Sequence, residues 1–239
     1  MSQRFENQRA VIVGGSAGLG LATAQLLAAE GAEVAVVGGR HVDDALEELP
    51  TGAEGYACDV RDEAALAALF AEIGAFDHLA YTAGEALALS PLSELNLVDA
   101  RERIEIRLWG ALAALKHAVP QIRAGGSVVL TSGSAGARPQ PTWAIGAMTC
   151  GAIEGLTRTL ALELAPIRVN AVAPGVVRTD LWRDLTEDQR EAMYEGLAAT
   201  LPVGRPGEPD DVAAAYVHLM ANGYSTGTIL PVDGGTLLV

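Results

Sequence analysis

Residues 11–20 read VIVGGSAGLG, and the chain continues from there into LATAQLLAAEG. A β-branched run that breaks into glycines and opens onto an apolar helical pattern is a strand, a tight turn and a helix. Gly14, Gly18 and Gly20 are spaced so that the backbone can turn sharply and come close to a pyrophosphate, with the amides at the start of the helix facing the anion. Ser16 and Leu19 lie in the same loop. A glycine triplet alone would be an ordinary strand-to-helix turn. Placed in the first β-α unit, it points to dinucleotide binding.

Working outward, the same alternation recurs. EVAVVG precedes DDALEEL, GYACDV precedes DEAALAALFAEIG, and HLAYTAG precedes a long helical stretch reaching Ile122. SVVLTSG, IRVNAVAPG and TILPVDGG supply further strands. Strand followed by helix, repeated in this way, predicts right-handed crossovers and an α/β fold, doubly wound, with helices on both faces of a parallel sheet. Gly31 stops the first helix, and Pro209 with Asp210 and Asp211 opens the last. The 239 residues are read as a single domain, 1–239, with no repeat or linker. The stretch 179–206 has weaker strand signals and is either a cover over a site or a surface helix with loops.

Acidic residues outnumber basic ones 30 to 16, for a formal charge of -14, and no window clusters Lys or Arg, so nucleic acid is not an expected partner. No basic segment followed by an apolar run marks a secretory leader, and no stretch is long and apolar enough for a membrane span. The expectation is a soluble, cytoplasmic protein without membrane association. Cys58 and Cys150 are far apart in sequence and are expected as buried thiols. No metal is expected, because His41, His78, His117 and His218 show no ligand spacing and are read as surface or helix-face residues. The second strand ends VVGGRHV, where an acid would bond a ribose 2'-hydroxyl; here Gly38 and Gly39 leave space and Arg40 supplies a guanidinium. NADP(H) is therefore favoured over NAD(H), unless Arg40 is simply a solvated loop residue.

With these motifs in order, the chain resembles the short-chain dehydrogenase/reductase family from Ala10 to Gly235. GGSAGLG is similar to that family's TGxxxGxG loop, with Val13 in place of threonine, and CDV at residues 58–60 resembles its adenine segment, which implies that Asp59 and Val60 contact the cofactor. YTAG keeps Ala83 and Gly84 of NNAG but loses both asparagines. IRVNAVAPGVVRT resembles RVNxVxPGxVxT, which implies that Pro174, Gly175, Val177 and Thr179 line the nicotinamide end. The resemblance further implies a Rossmann-type seven-stranded sheet ordered 3-2-1-4-5-6-7, a small-molecule substrate or ligand, and a homodimer or homotetramer formed through the two long helices.

The same resemblance exposes a departure. GAIEGLTRTLALELA fixes the register of the family's YxxxK motif, putting Gly146 where the tyrosine belongs and Cys150 where the lysine belongs. No nearby residue repairs this: no tyrosine occurs between Tyr81 and Tyr194, and Lys116 is the only lysine. In VVLTSGSAG the carbonyl-polarising serine falls on Gly133, flanked by Ser132 and Ser134, and in RIEIRLWG the asparagine position holds Arg107. Glycine has no proton to give, and a thiol carries no positive charge to lower a partner's pKa. Ser134, Ser132 and Arg107 remain as candidate catalytic groups. Arg107 either binds a ligand anion or developing oxyanion, or forms a structural ion pair with Glu105 or Glu85. At Gly146 the missing phenol leaves a larger pocket, a pocket filled by Trp143, or a collapsed one. Tyr81 is read as a packing or adenosine-contact residue, with a relocated proton donor as the alternative. The functional expectation is an NADP(H)-binding, oxidoreductase-like protein with a divergent site. The alternatives are a cofactor-binding sensor or inactive partner subunit, and a non-redox enzyme that re-uses the pocket.

Overall fold

The computed structural model describes residues 3–39, 41–87 and 89–239. Arg40, on which part of the NADP(H) expectation rests, lies outside the described residues. The strands are β1 (Arg9–Val13), β2 (Glu33–Gly38), β3 (Glu54–Ala57), β4 (Phe76–Tyr81), β5 (Ile122–Thr131), β6 (Arg168–Pro174) and β7 (Ile229–Val232). They form one seven-stranded sheet in the order β3-β2-β1-β4-β5-β6-β7, and every neighbouring pair is parallel. The architecture is the Rossmann-type doubly wound α/β arrangement expected from the sequence.

The central strands are mostly apolar along their length because both faces are covered. Along β1, Val11 and Val13 enter one core and Ala10 and Ile12 the other, and along β2 the alternation is Ala35 and Val37 against Val34 and Val36. The first core is closed by α3 (Glu63–Ile73), α5 (Ala111–Ala118) and α6 (Ala144–Glu163), and the second by α1 (Gly18–Ala29) and α8 (Pro209–Ala221). The remaining helices are α2 (Val42–Glu47), α4 (Leu97–Ile104) and α7 (Glu187–Thr200). Between α4 and α5 the chain makes a π-helical turn, Glu105–Gly110, which carries Arg107.

Chain order reverses between β1 and β4. In such sheets the crevice beyond the carboxyl ends of the two diverging strands is where ligands bind. Val13, Tyr81 and the loops that follow them meet there, with Thr82 N donating to Val13 O at 2.7 Å.

Candidate active site

The glycine loop is shaped as the spacing requires. Gly14 has φ +88°, and a Cβ on it would lie 2.4 Å from Ala83 N; a Cβ on Gly20 would lie 2.1 Å from Gly14 O and 2.5 Å from Thr82 Oγ1. Side chains at either position would push the loop off β4. Gly18, at φ +52°, faces Thr179, and Ser16 sits against Gly38, where an added Cβ would meet Ser16 Oγ at 2.6 Å. The residue that precedes the helix behind the loop is Ala17, whose methyl cannot cap it. By contrast, Asp62, Asn96 and Thr186 bond the first amides of α3, α4 and α7. The opening amides of α1 stay available to an anion. The cradle fits a dinucleotide's phosphates.

Beyond the loop lies a cleft with about 840 Å³ of empty space, its mouth included. Leu19, Pro174, Gly175, Val177 and Thr179 line one part of it, and Arg107, Ser132, Gly133, Ser134, Gly146 and Cys150 line the rest. Residues scattered over 160 positions of sequence thus share one wall. At Gly146 the pocket is neither collapsed nor filled: an added Cβ would find its nearest neighbours, Trp143 Cε3, Ala135 and Leu87, at 3.9–4.0 Å. At Gly133 a Cβ would meet Cys150 Sγ at 3.2 Å, so this glycine makes room for the thiol. Ser132 Oγ is buried and donates to Glu154 Oε1 at 3.2 Å and Cys150 O at 3.4 Å. Ser134 opens a short 3-10 turn, Ser134–Gly136, and lines the cavity. Cys150 is half-buried rather than fully buried as expected, and burial pushes its thiol pKa up, although Ser132 and Arg107 act against the rise.

Arg107 departs from the simplest expectation. Its guanidinium lies over Gly84, where a Cβ would be 2.6 Å from Cζ and 2.7 Å from Nη2, and Nη2 donates to Glu85 O at 2.9 Å. Neither Glu85 nor Glu105 forms the ion pair considered from sequence: the Glu85 carboxylate accepts from Arg183 instead, and among the described residues no carboxylate lies within 4.0 Å of Arg107. Desolvation accordingly pulls the arginine's pKa down. Tyr81 is buried, and its hydroxyl donates to Ile106 O at 2.5 Å, a carbonyl inside the π-helical turn. Burial raises its pKa above the usual phenol value, and with its hydroxyl engaged by Ile106 O and its side chain outside the cleft lining, the geometry favours a packing role.

Two further residues, which the sequence did not single out, shape the mouth. Trp182 is buried, donates from Nε1 to Val177 O at 2.9 Å, and sets its ring 6.1 Å from that of Trp143 at 53°. Arg103, on α4, donates to Asp99 and Asp184 and to Ala86 O, so the segment after Thr179 is tied across the cleft by Arg103–Asp184 at 3.1 Å and by Arg183–Glu85. Tryptophan after TDL at residues 179–181 is a sequence signal that could have flagged this cover.

Comparison with known proteins agrees with this geometry. Residues 14–236 match the family model described as Enoyl-(Acyl carrier protein) reductase. A short-chain dehydrogenase/reductase of Acremonium sp is 33% identical over 258 residues, covering 99% of this chain and 98% of the relative. The chain belongs to the short-chain dehydrogenase/reductase family. A cis-4-hydroxycyclohexanecarboxylate dehydrogenase of Sinomonas cyclohexanicum is 38% identical over 249 residues, covering 98% of each chain. Among solved structures, a small-chain dehydrogenase in complex with NADPH superposes with a TM-score of 0.83 at 33% identity, covering 97% of this chain and 99% of that one. The MalC reductase/Diels-Alderase of Malbranchea aurantiaca gives a TM-score of 0.89 at 29% identity, with 99% of both chains covered.

As a short-chain dehydrogenase/reductase, the chain is a member of a nicotinamide-dinucleotide oxidoreductase family. Its other predicted contact residues are placed unevenly. Ala83 closes the loop over Gly14, and Gly84 carries the Arg107 guanidinium. Asp59 is exposed and doubly bonded by Arg61, with Nε at 2.9 Å and Nη2 at 2.6 Å, which lowers its carboxyl pKa. Val60 turns its side chain into the core, leaving its main chain for the groove. One histidine expectation is overturned: His78 is buried in β4, bonded to Ser127 Oγ at 2.9 Å and Gln8 Oε1 at 2.7 Å. Among the described residues, no group of three or more metal-ligating side chains converges, and no helix is long and apolar enough to cross a membrane.

Proposed function

We propose that this chain binds NADP(H) as a single domain and acts as an oxidoreductase on a carbonyl or alcohol carbon of a small molecule seated beside Gly146. The observation that carries this reading is the shared cleft, in which Leu19, Pro174, Gly175, Val177 and Thr179 adjoin Ser134, Gly146 and Arg107. Gly14, Ser16, Gly18 and Gly20 hold the pyrophosphate, Asp59 and Val60 flank the adenine, and Ala83 and Gly84 support the ribose side. The bound cofactor supplies or accepts hydride. Ser134 donates a hydrogen bond to the reacting oxygen, with Ser132 behind it, while water in the open cleft exchanges the proton that a tyrosine would otherwise carry. Gly38 and Gly39 end β2 without an acid, and a Cβ on Gly39 would meet nothing within 4 Å, which leaves room for a 2'-phosphate. The NADPH complex of the small-chain dehydrogenase relative supports the same preference.

A second reading is favoured by one feature: the tyrosine position is Gly146 and burial raises the pKa of the thiol beside it, so among the described residues the cleft holds no side-chain acid of ordinary strength. Such a chamber suits non-redox ring closure, and the Malbranchea relative, a reductase/Diels-Alderase, pairs reduction with that chemistry. Titration with NADPH and NADH, followed by a screen of ketones, aldehydes and quinones for NADPH oxidation, separates the readings. Tight NADPH binding with turnover supports the first. Binding without turnover sinks hydride transfer, and binding of neither nucleotide sinks the cofactor assignment.

The protein is further read as a cytoplasmic homodimer or homotetramer. Exposed Leu97, Val98, Trp109, Leu112, Met148 and Leu162 on the α4–α5 and α6 faces supply the apolar contact. Light scattering after gel filtration tests it, and a monomer at micromolar concentration would contradict it.

A further inference from the structure

We propose that Arg107 is a specificity-determining residue that seats a carboxylate of the substrate, so that the cavity takes small organic acids with an apolar body. This rests on reading the cleft as the substrate chamber, but not on turnover. In a chain with 30 acidic residues, the guanidinium that reaches the cavity has no carboxylate within 4.0 Å among the described residues. The Glu85 carboxylate is engaged by Arg183, and among the described residues the guanidinium's one protein hydrogen bond goes to the Glu85 backbone carbonyl. A half-buried cation left in this state favours an anion that arrives with the ligand, and the planar guanidinium matches a carboxylate through two parallel bonds. The second arginine of the cavity, Arg103, is already neutralised by Asp99 and Asp184, so the preference is assigned to one position.

The remaining walls set the body of the ligand. Trp143, Trp182, Leu87, Ile145 and Leu181 present apolar surface, and the space at Gly146 is open to 3.9 Å. An aliphatic ring or branched chain fits there, with its acid end toward Arg107 and its oxygenated carbon toward Ser134.

The cofactor's own phosphates are the other source of negative charge, and the test separates the two. Cyclohexanecarboxylate and its neutral isostere cyclohexanecarboxamide are titrated calorimetrically into the NADP-loaded protein. The wild type is expected to bind the carboxylate at least about tenfold more tightly. Arg107→Gln should abolish that difference while leaving affinity for the carboxamide and for NADPH within about twofold, and Arg107→Lys should retain part of it. Equal binding of the two probes by the wild type overturns the proposal without any variant. So does a preference that survives in Arg107→Gln, or a loss of NADPH affinity as large as the loss of carboxylate affinity. Carboxylate preference without turnover of any alcohol or ketone would remove hydride transfer and keep this assignment; turnover without the preference would do the reverse.

Discussion

Gly84→Ala tests the placement of Arg107 directly. The new methyl would lie 2.6 Å from Arg107 Cζ, 2.7 Å from Nη2 and 3.0 Å from Nε, well inside contact distance, so the guanidinium must leave its seat. Leaving it breaks the bond to Glu85 O, and a hydrogen bond from a charged group contributes about 1.5–3 kcal/mol. Against this, replacing glycine by alanine where φ is not positive stabilises by about 0.4–1 kcal/mol through the unfolded chain. The net expectation is a loss of about 1–2 kcal/mol in the wild-type background. In an Arg107→Ala background the clash is gone and only the unfolded-state gain remains, so the same substitution becomes neutral or stabilising. Urea unfolding of the four proteins without cofactor, at unchanged m, gives the cycle, with a coupling of at least about 1 kcal/mol expected. Equal destabilisation by Gly84→Ala in both backgrounds would show that the guanidinium does not rest there.

Three other outcomes are expected. Gly146→Ala should raise stability by about 0.4–1 kcal/mol in thermal unfolding, since its Cβ meets nothing closer than 3.9 Å; destabilisation would mean the space is not open. His78, whose pKa is pulled from 6.5 to about 4 mainly by burial, binds fewer protons folded than unfolded between those values, so its contribution is complete above pH 6.5 and is lost as pH falls through about 4. From pH 7.5 to 4.5 the wild type should lose about 2.5 kcal/mol more than His78→Gln, and parallel pH curves would contradict this. Alkylation of Cys150 by iodoacetamide, read in a Cys58→Ala protein, should reach half its maximal rate only above the thiol's ordinary value of 9.0; saturation near pH 7 would mean an activated thiolate.

The strand-helix alternation and the glycine cradle were legible because their signals are local: a β-branched run, then Gly14, Gly18 and Gly20, then a helix; the order of the strands in the sheet came only with the family resemblance. The register of GAIEGLTR was equally local and placed Gly146 and Cys150 in the cavity. The seat of Arg107 was not legible. Gly84 and Arg107 are brought together by a π-helical turn that no periodicity announces, and the same turn supplies the Ile106 carbonyl that takes up Tyr81. His78 was misread for another reason. A lone histidine is usually at the surface, yet FDHLAY belongs to a strand covered on both faces, where all positions but Asp77 are buried, and Ser127 and Gln8 supply the polar partners. The ion pairs across the mouth depend on contacts 81 and 98 residues apart and leave no trace in composition.

Those two ion pairs make the mouth of the chamber answer to ionic strength. Each joins partly exposed groups, the class of pair that contributes about 0.2–1 kcal/mol, so the two together contribute at most about 2 kcal/mol. Adding salt screens both contacts, whereas Trp182, buried beside Trp143, is held by apolar contact that salt does not screen. High salt therefore slackens the polar ties of the mouth and leaves its indole anchor in place.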